Sequence, residues 1–210
     1  MPKLYYRYAV MNAGKSTQLL QIAHDYEINN GEKILALKPE SDTKADNQII
    51  ARIGSDMLRR KCDFLIKKDM DWLYDEVTKY PGTRVVLIDE AQFLSKANVW
   101  DCARIVTQLE IPVICFGLKC DFRGEPFEGS SYLFALAQDI EEVTTRAICR
   151  RSENPVKATV NMRLLNGIPV FRGGQLSIEG ENDVVYEPVC LKKFMDMFIA
   201  GNNTYGEKYE

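Results

Sequence analysis

A run of residues near the N-terminus has the composition and spacing of a phosphate-binding loop. Residues 9–16 read Ala-Val-Met-Asn-Ala-Gly-Lys-Ser, a Walker A pattern with alanine in place of the first glycine. In such a loop, backbone N–H groups surround phosphate oxygens and the following helix N-terminus adds a positive dipole. Lys15 would reach the transferred phosphate, and the Ser16 hydroxyl would ligate Mg²⁺. The pattern predicts phosphate binding by Ala9, Val10, Met11, Asn12, Ala13, Gly14, Lys15 and Ser16.

Two adjacent carboxylates supply the second half of a nucleotide site. Residues 84–88 form a short apolar stretch, typical of a strand buried on both faces of a parallel sheet, and Asp89 and Glu90 follow it. Such a strand delivers a carboxylate to the metal side of the phosphates, which predicts Ser16 and Asp89 as Mg²⁺ ligands. Glu90, where the chain turns, can meet the substrate as a general base. A solvated loop acid is the alternative interpretation of Glu90.

Strands and helices alternate along the first two thirds of the chain. This order predicts an α/β fold with a parallel sheet, and the loop makes it P-loop NTPase-like, that is RecA-like. A polar stretch, residues 40–56, is expected to be a long loop or lid. The helix over residues 95–109 begins after Ser95, a good N-cap residue. The expected strands are residues 3–10, 33–37, 84–88 and 112–117, and the other expected helices are residues 16–30, 69–80 and 130–138.

The pattern changes in the last third of the chain. Short alternating stretches are separated by glycine-containing turns, which predicts a small β-rich C-terminal appendage. Its expected strands are residues 159–164, 175–178 and 184–189. We therefore expect an α/β core over residues 1–148, a β-rich subdomain over residues 149–192, and a helix with a polar tail over residues 193–210.

Composition and charge exclude several classes of function. A net charge of −3 provides no overall positive field for a nucleic-acid backbone. The apolar runs are far shorter than the ~20 residues that span a bilayer, and the N-terminus lacks the apolar centre of a signal peptide. Six cysteines occur without pairing intervals, which is typical of reduced thiols. The expected location is the cytoplasm, with neither a nucleic-acid nor a membrane partner.

Several motifs together resemble one family. They are residues 11–17, 52–54, 89–93 and 117–118 with 121–125, and Tyr186 four residues before Cys190. With these motifs the chain resembles the cellular (type II) thymidine kinases, in their bacterial branch, from about residue 3 to residue 190. The resemblance implies transfer of the γ-phosphate of ATP, with Mg²⁺, to the 5′-hydroxyl of thymidine or deoxyuridine in pyrimidine deoxynucleoside salvage. It also implies a homotetramer and feedback inhibition by dTTP.

The resemblance assigns roles on the phosphate side. Glu90 would be the general base for the 5′-hydroxyl, and Asp89 would help to hold Mg²⁺. Lys44 stands where the family has arginine, and lysine keeps the charge but loses the bidentate fork. The remaining residues expected near the phosphates are Ala91, Gln92 and Asp42.

On the nucleoside side, the resemblance implies that Phe122 packs on the pyrimidine ring, with Leu118 and Met11 at its border. A late loop, the lasso, would grip the edge of the base with its backbone. Core packing is the alternative role for Phe122, and a half-buried strand position is the alternative for Tyr186. The expected lasso residues are Ser177, Ile178, Glu179 and Tyr186.

The chain departs from the family in its metal ligands. Members usually hold a structural Zn²⁺ with two close pairs of Cys or His ligands, whereas here each pair keeps one member, Cys149 and Cys190. A tetrahedral site needs four N or S donors, so we expect no zinc. The chain has one histidine, His24, which lies in the first expected helix.

Two other functions are compatible with the nucleotide motifs. In a P-loop ATPase, Glu90 would orient water instead of an alcohol. In a catalytically degenerate module, the loop would hold nucleotide without turnover, as Ala9 and the missing zinc ligands suggest. The acceptor therefore has to be tested by experiment.

Overall fold

The structure of the protein, a computed structural model, describes residues 1–42, 47–53, 55–67, 72–143, 147–175 and 184–205. The chain forms two compact units. Unit 1 comprises Met1–Ala9, Gly14–Lys119 and Phe127–Val143, and unit 2 comprises Val10–Ala13, Cys120–Pro126 and the described part of Thr144–Glu210. No helix in the described ranges is long and apolar enough to cross a membrane.

Eleven strands and five α-helices are described. The strands are β1 (Leu4–Tyr8), β2 (Ile34–Pro39), β3 (Gln48–Ile53), β4 (Asp56–Lys61), β5 (Phe64–Ile66), β6 (Val85–Ile88), β7 (Val113–Gly117), β8 (Asp139–Glu142), β9 (Val160–Leu165), β10 (Ile168–Val170) and β11 (Val184–Val189). The helices are α1 (Lys15–His24), α2 (Leu73–Thr78), α3 (Lys96–Gln108), α4 (Glu128–Leu136) and α5 (Leu191–Tyr205). A π-helical turn, Asp25–Asn29, continues α1, and a 3₁₀ turn, Ala91–Phe93, follows β6.

Unit 1 is built on a six-stranded sheet in the order β5-β2-β6-β7-β1-β8, in which all neighbouring strands are parallel. Strand β6 is fully buried, and its side chains alternate between two cores. Val86 and Ile88 pack with residues of α2, α3 and α4, whereas Val85 and Leu87 pack with residues of α1. Helices therefore cover both faces of the sheet, and the predicted α/β fold is confirmed.

The expectation of a loop over residues 40–56 is wrong in its second half. Residues 48–53 form β3, which pairs with β4 as an antiparallel hairpin. Ile49 and Ala51 are buried beside α1, so one face of the hairpin contributes to the core. The run of β-branched residues, Ile49, Ile50 and Ile53, was the missed strand signal. The edge strand β8 was missed because it is charged; Arg7 of β1 pairs with Asp139 at 3.0 Å.

Unit 2 contains an antiparallel sheet in the order β10-β9-β11. Val160, Met162 and Leu164 of β9 pack with Phe194 of α5 in a small core. The two central turn residues between β9 and β10 have left-handed backbones, with φ of 51° and 76°, as a tight Asn-Gly hairpin requires. The strands expected at 159–164 and 184–189 are confirmed, and most of the one expected at 175–178 lies outside the described residues. The expected domain boundaries stay predictions.

Candidate functional site

The predicted phosphate loop connects β1 to α1. Ala9 has a normal negative φ and donates its N–H to the carbonyl of Gly117 at 3.2 Å, so this position does not require glycine. Asn12 and Gly14 are left-handed, with φ of 55° and 82°. Helix α1 begins at Lys15 without a side-chain cap and without an acidic residue in its first turn. A helix N-terminus of this form is a common binding site for anions.

Ser16 and Asp89 meet as predicted. The Ser16 hydroxyl donates to Oδ2 of Asp89 at 2.8 Å, and Asp89 is only 4% exposed. Burial and the charge of Glu90 raise the pKa of Asp89 to about 7, although the Ser16 hydrogen bond and the nearby Lys15 ammonium act against this. A hydroxyl and a carboxylate side by side are oxygen donors that fit Mg²⁺, and a divalent cation here would favour the ionised carboxylate.

Glu90 has a backbone that few non-glycine residues adopt, with φ of 50°. Its N–H donates to Oδ1 of Asp89 at 3.0 Å, and its carboxylate accepts a hydrogen bond from Nε2 of Gln92. Oε1 of the same Gln92 accepts from the N–H of Leu118 at 3.0 Å. A Cβ on Gly117 would lie 2.9 Å from this oxygen. Gln92 therefore joins the Glu90 carboxylate to the end of β7, and supports a strained backbone of a kind that clusters at functional sites.

The backbone of Leu118 is fixed from both sides. Its N–H is held by Gln92, and its carbonyl accepts hydrogen bonds from the hydroxyls of Tyr6, at 2.7 Å, and Ser130. Tyr6 is fully buried, so its hydroxyl reaches Leu118 from inside the core. The position expected to border the nucleoside is thus set by three side chains of unit 1.

Gln92 provides a test of how Glu90 is oriented. We expect Gln92→Leu to lower kcat about 10–100-fold, because small displacements of a catalytic group have effects of that order. The unpaired N–H of Leu118 should also lower the free energy of unfolding by ~1–3 kcal/mol. Steady-state kinetics and urea denaturation measure the two effects.

The matched control for this change is Gln138→Leu. Oε1 of Gln138 accepts from the N–H of Leu4 at 3.0 Å, the same type of contact at another place in unit 1. Because Gln138 is exposed and water can replace its contact, this variant should lose less stability than Gln92→Leu, and it should keep its kcat. Equal kcat values for the two variants would contradict an orienting role for Gln92.

Asp42, expected near the phosphates, forms an ion pair with Lys38. The Nζ to Oδ2 distance is 3.1 Å, and the Lys38 side chain is 1% exposed. Lys38 lies near the end of β2, whose Leu37 carbonyl accepts the N–H of Asp89. Lys44 lies outside the described residues.

Unit 2 holds the other residues expected at the nucleoside. The N–H of Met11 donates to Oδ1 of Asn161 at 2.9 Å. The ring of Phe122 is 1% exposed, and the guanidinium carbon of Arg163 lies 3.6 Å from its centroid, so this face of the ring is already covered. Tyr186 is half-buried on β11, opposite Arg163. Ser177, Ile178 and Glu179 lie outside the described residues.

The two thiols do not fit a zinc site. Cys149 and Cys190 are buried and hydrogen-bond to each other, and the N–H of Lys193 lowers the pKa of Cys190. Two thiols are half of a tetrahedral set. Within the described ranges, no group of three or more His, Cys, Asp or Glu residues could hold a metal ion. The absence of zinc stays a prediction.

Three residues of this arrangement were missed in the sequence. Asn161 and Arg163 alternate with the apolar residues of β9, a polar face that should have marked a strand with a second role. Lys38 interrupts the apolar run of β2, and a buried lysine usually has a partner. The signals were present, but their partners lie elsewhere in the sequence.

Comparison with known proteins agrees with the geometry. The family model described as thymidine kinase matches residues 2–194. A thymidine kinase of Lactococcus lactis is 42% identical over 196 residues, which cover 92% of this chain and 97% of the relative. Thymidine kinases of Streptococcus pyogenes serotype M3 and Streptococcus agalactiae serotype Ia are each 41% identical, over 93% of this chain and 98% of theirs. The resemblance found in the motifs is confirmed, and the chain belongs to the thymidine kinase family.

Proposed function

We propose that the protein transfers the γ-phosphate of ATP to the 5′-hydroxyl of thymidine, and also of deoxyuridine. The proposal rests on hydrogen bonds that join Ser16 to Asp89, Asp89 to Glu90, and Glu90 to Gln92. Ser16 lies in the first turn of α1, which has no side-chain cap, and the chain belongs to the family. This arrangement would supply an anion-binding backbone, oxygen donors for a metal and an oriented second carboxylate. Those are the parts that phosphoryl transfer needs.

The residues that would neutralise the charge of the ATP phosphates belong to unit 1. The N–H groups at the start of α1 and the Lys15 ammonium would hold the phosphates, because both present positive charge without an acidic residue in the first turn of the helix. Ser16 and Asp89 would hold Mg²⁺, which supplies neutralisation of the charge on the β- and γ-phosphates.

Glu90 would accept the proton of the nucleoside 5′-hydroxyl as the oxygen attacks the γ-phosphorus, while the bond from that phosphorus to the β–γ bridging oxygen breaks and ADP leaves. Its carboxylate is half-buried and fixed by Gln92, so it stays directed while remaining accessible. A positioned base of this kind contributes ~10²–10⁴-fold to a rate. Asp89 is less suited to this role because it is buried and held by Ser16.

Two observations support thymidine as the acceptor in this proposal. The relatives are named thymidine kinases, and unit 2 contains most of the residues expected to contact the nucleoside. Met11, Phe122 and Tyr186 belong to that unit, together with Asn161, a polar side chain that contacts the backbone of Met11. We propose that these residues contact the nucleoside. The proposal extends to pyrimidine deoxynucleoside salvage in the cytoplasm, a homotetramer and inhibition by dTTP, all of which are implied by the resemblance.

A transfer assay with ³²P-labelled ATP tests the proposal. Thymidine and deoxyuridine should be phosphorylated, and deoxycytidine and deoxyadenosine should react much more slowly. ADP release that is independent of any nucleoside would indicate a P-loop ATPase. Nucleotide binding without ADP release or nucleoside phosphorylation would indicate a degenerate module. Either result would overturn the proposal.

The zinc prediction has its own measurement. Elemental analysis of protein purified without chelator should find zinc well below one equivalent per chain, because two thiols do not complete a tetrahedral set. Cys149→Ser with Cys190→Ser should leave the metal content unchanged. One equivalent of zinc in the wild type that is lost in the double variant would contradict the prediction.

A further inference from the structure

Three consecutive backbone carbonyls after β10 accept hydrogen bonds from two arginines. Arg163 donates to the carbonyl of Arg172 through Nη2 and to that of Gly174 through Nη1, the latter at 3.2 Å. Nη1 of Arg123 donates to the intervening carbonyl of Gly173 at 3.4 Å. Charge-assisted bonds from planar guanidinium groups are stronger and more directional than neutral ones. Two arginine side chains therefore hold this short segment through its backbone.

The guanidinium of Arg163 also covers the ring of Phe122. Its central carbon lies 3.6 Å from the ring centroid, which is the distance of a face-on cation–π contact. Arg163 is 7% exposed and Phe122 is 1% exposed, so water does not weaken the contact. Asp121 shapes the loop that carries this ring by accepting the N–H groups of Arg123 and Glu125. One side chain thus holds both a ring and a backbone segment.

The register of the sheet places β10 and β11 on either side of Arg163. On β9 it lies directly opposite Val170 of β10 and Tyr186 of β11. Side chains directly opposite in antiparallel strands share a face of the sheet, so Arg163 and Tyr186 share one. Asn161, two residues earlier on β9, lies on the same face. Three residues proposed to contact the nucleoside, Phe122, Tyr186 and Asn161, are therefore grouped around Arg163 or on its face of the sheet.

Gly173 is adapted to the position of Arg163. Its φ is 108°, and a Cβ there would lie 2.8 Å from Nη2 of Arg163. Any side chain at this position would have to displace the guanidinium. The glycine and the arginine therefore depend on each other.

We propose that Arg163 is a positioning residue for nucleoside binding, holding the Phe122 ring and residues 172–174 in one arrangement on the face of the sheet that also carries Tyr186. The inference rests on the proposed function and says how its nucleoside-contacting residues are held. Its effect should be selective for the nucleoside, because the contacts described above lie in unit 2. Lys15, Ser16 and Asp89, which we assign to the phosphates, belong to unit 1. Lysine cannot replace Arg163, since a point charge cannot cover a ring and reach two carbonyls at once.

The test is the kinetics of Arg163→Lys and Gly173→Ala. Both should raise the KM for thymidine about tenfold or more, with the KM for ATP within about twofold and kcat reduced less than about threefold. Thermal unfolding reports whether each variant is folded. Gly173→Ala keeps the arginine, so it carries the test if Arg163→Lys does not fold.

Each variant has a matched control in unit 2. Arg151 pairs with Glu187 at 2.8 Å, so Arg151→Lys makes the same chemical change at an ion pair elsewhere in unit 2. Gly167 has a φ of 76° with nothing within 4 Å of an added Cβ, so Gly167→Ala adds similar backbone strain without contacting Arg163. Both controls should keep the wild-type KM for thymidine.

The outcomes separate this inference from the proposed function. An unchanged KM for thymidine in Arg163→Lys and Gly173→Ala, in a wild type that phosphorylates thymidine, overturns the inference alone. A parallel rise of both KM values together with a lower Tm would assign Arg163 to folding and also overturns it. A wild type that phosphorylates no nucleoside overturns the proposed function, and the inference with it.

Discussion

Replacing Glu90 with glutamine should lower kcat for thymidine phosphorylation about 10²–10⁴-fold, the contribution of a general base. The variant keeps the shape of the side chain and an oxygen that can accept the hydrogen bond from Gln92. The geometry should therefore survive while the basic group is lost. The KM values for ATP and thymidine should stay within about threefold, since both measure binding more than proton transfer. Radiolabel transfer at saturating substrate measures the effect.

Two further variants make this result specific. Glu90→Asp keeps the carboxylate but withdraws it by one methylene from Gln92, so its kcat should fall between those of Glu90→Gln and the wild type. Glu76→Gln makes the isosteric change in α2, where Glu76 pairs with Lys79, and should keep the wild-type kcat. If Glu90→Gln retained more than about a tenth of the activity, another group would have to be the base.

The parts of the fold that sequence predicts well are those whose signals are local. The left-handed Gly14 and the four apolar residues of β6 can each be recognised from a sequence pattern only a few residues long. The same is true of Ser95, the predicted N-cap of α3, whose side chain and that of Asn98 form a capping box. Each of these features depends on neighbours at most four residues away, so the pattern carries the information.

Other parts depend on contacts between distant positions. In the sequence, Gln92 is simply a polar residue close to Glu90. Its hydrogen bond with the N–H of Leu118 is visible only in the structure. Asn161 and Met11 are separated by 150 residues, and no local pattern links them. These contacts position the site in space, whereas the local motifs supply its chemical groups. The fold class and the family could therefore be predicted from the sequence, whereas these long-range contacts could not.

The Asp89→Asn variant should lose activity and gain stability. Asparagine can keep both hydrogen bonds, accepting the N–H of Glu90 and donating to the Ser16 hydroxyl, but it cannot supply a charged metal ligand. We expect kcat to fall about 100-fold or more, the cost of removing an electrostatic group from the reacting phosphates. Because burial raises the pKa of Asp89 to about 7, its ionised form destabilises the fold. The neutral variant should gain about 1 kcal/mol, or roughly 2–4 °C in Tm.

Asp101→Asn is the contrasting control, because Asp101 is a similarly buried carboxylate in the same unit that is held in an ion pair. It pairs with Arg104 at 2.9 Å and accepts the N–H of Tyr74 at 3.0 Å. Neutralising it should lower Tm and leave kcat unchanged, the opposite of Asp89→Asn on both measurements. Differential scanning calorimetry without Mg²⁺ gives the two Tm values. If Asp89→Asn lowered Tm as Asp101→Asn does, the Asp89 carboxylate would stabilise the fold. The expectation that Asp89 lowers stability would then be wrong.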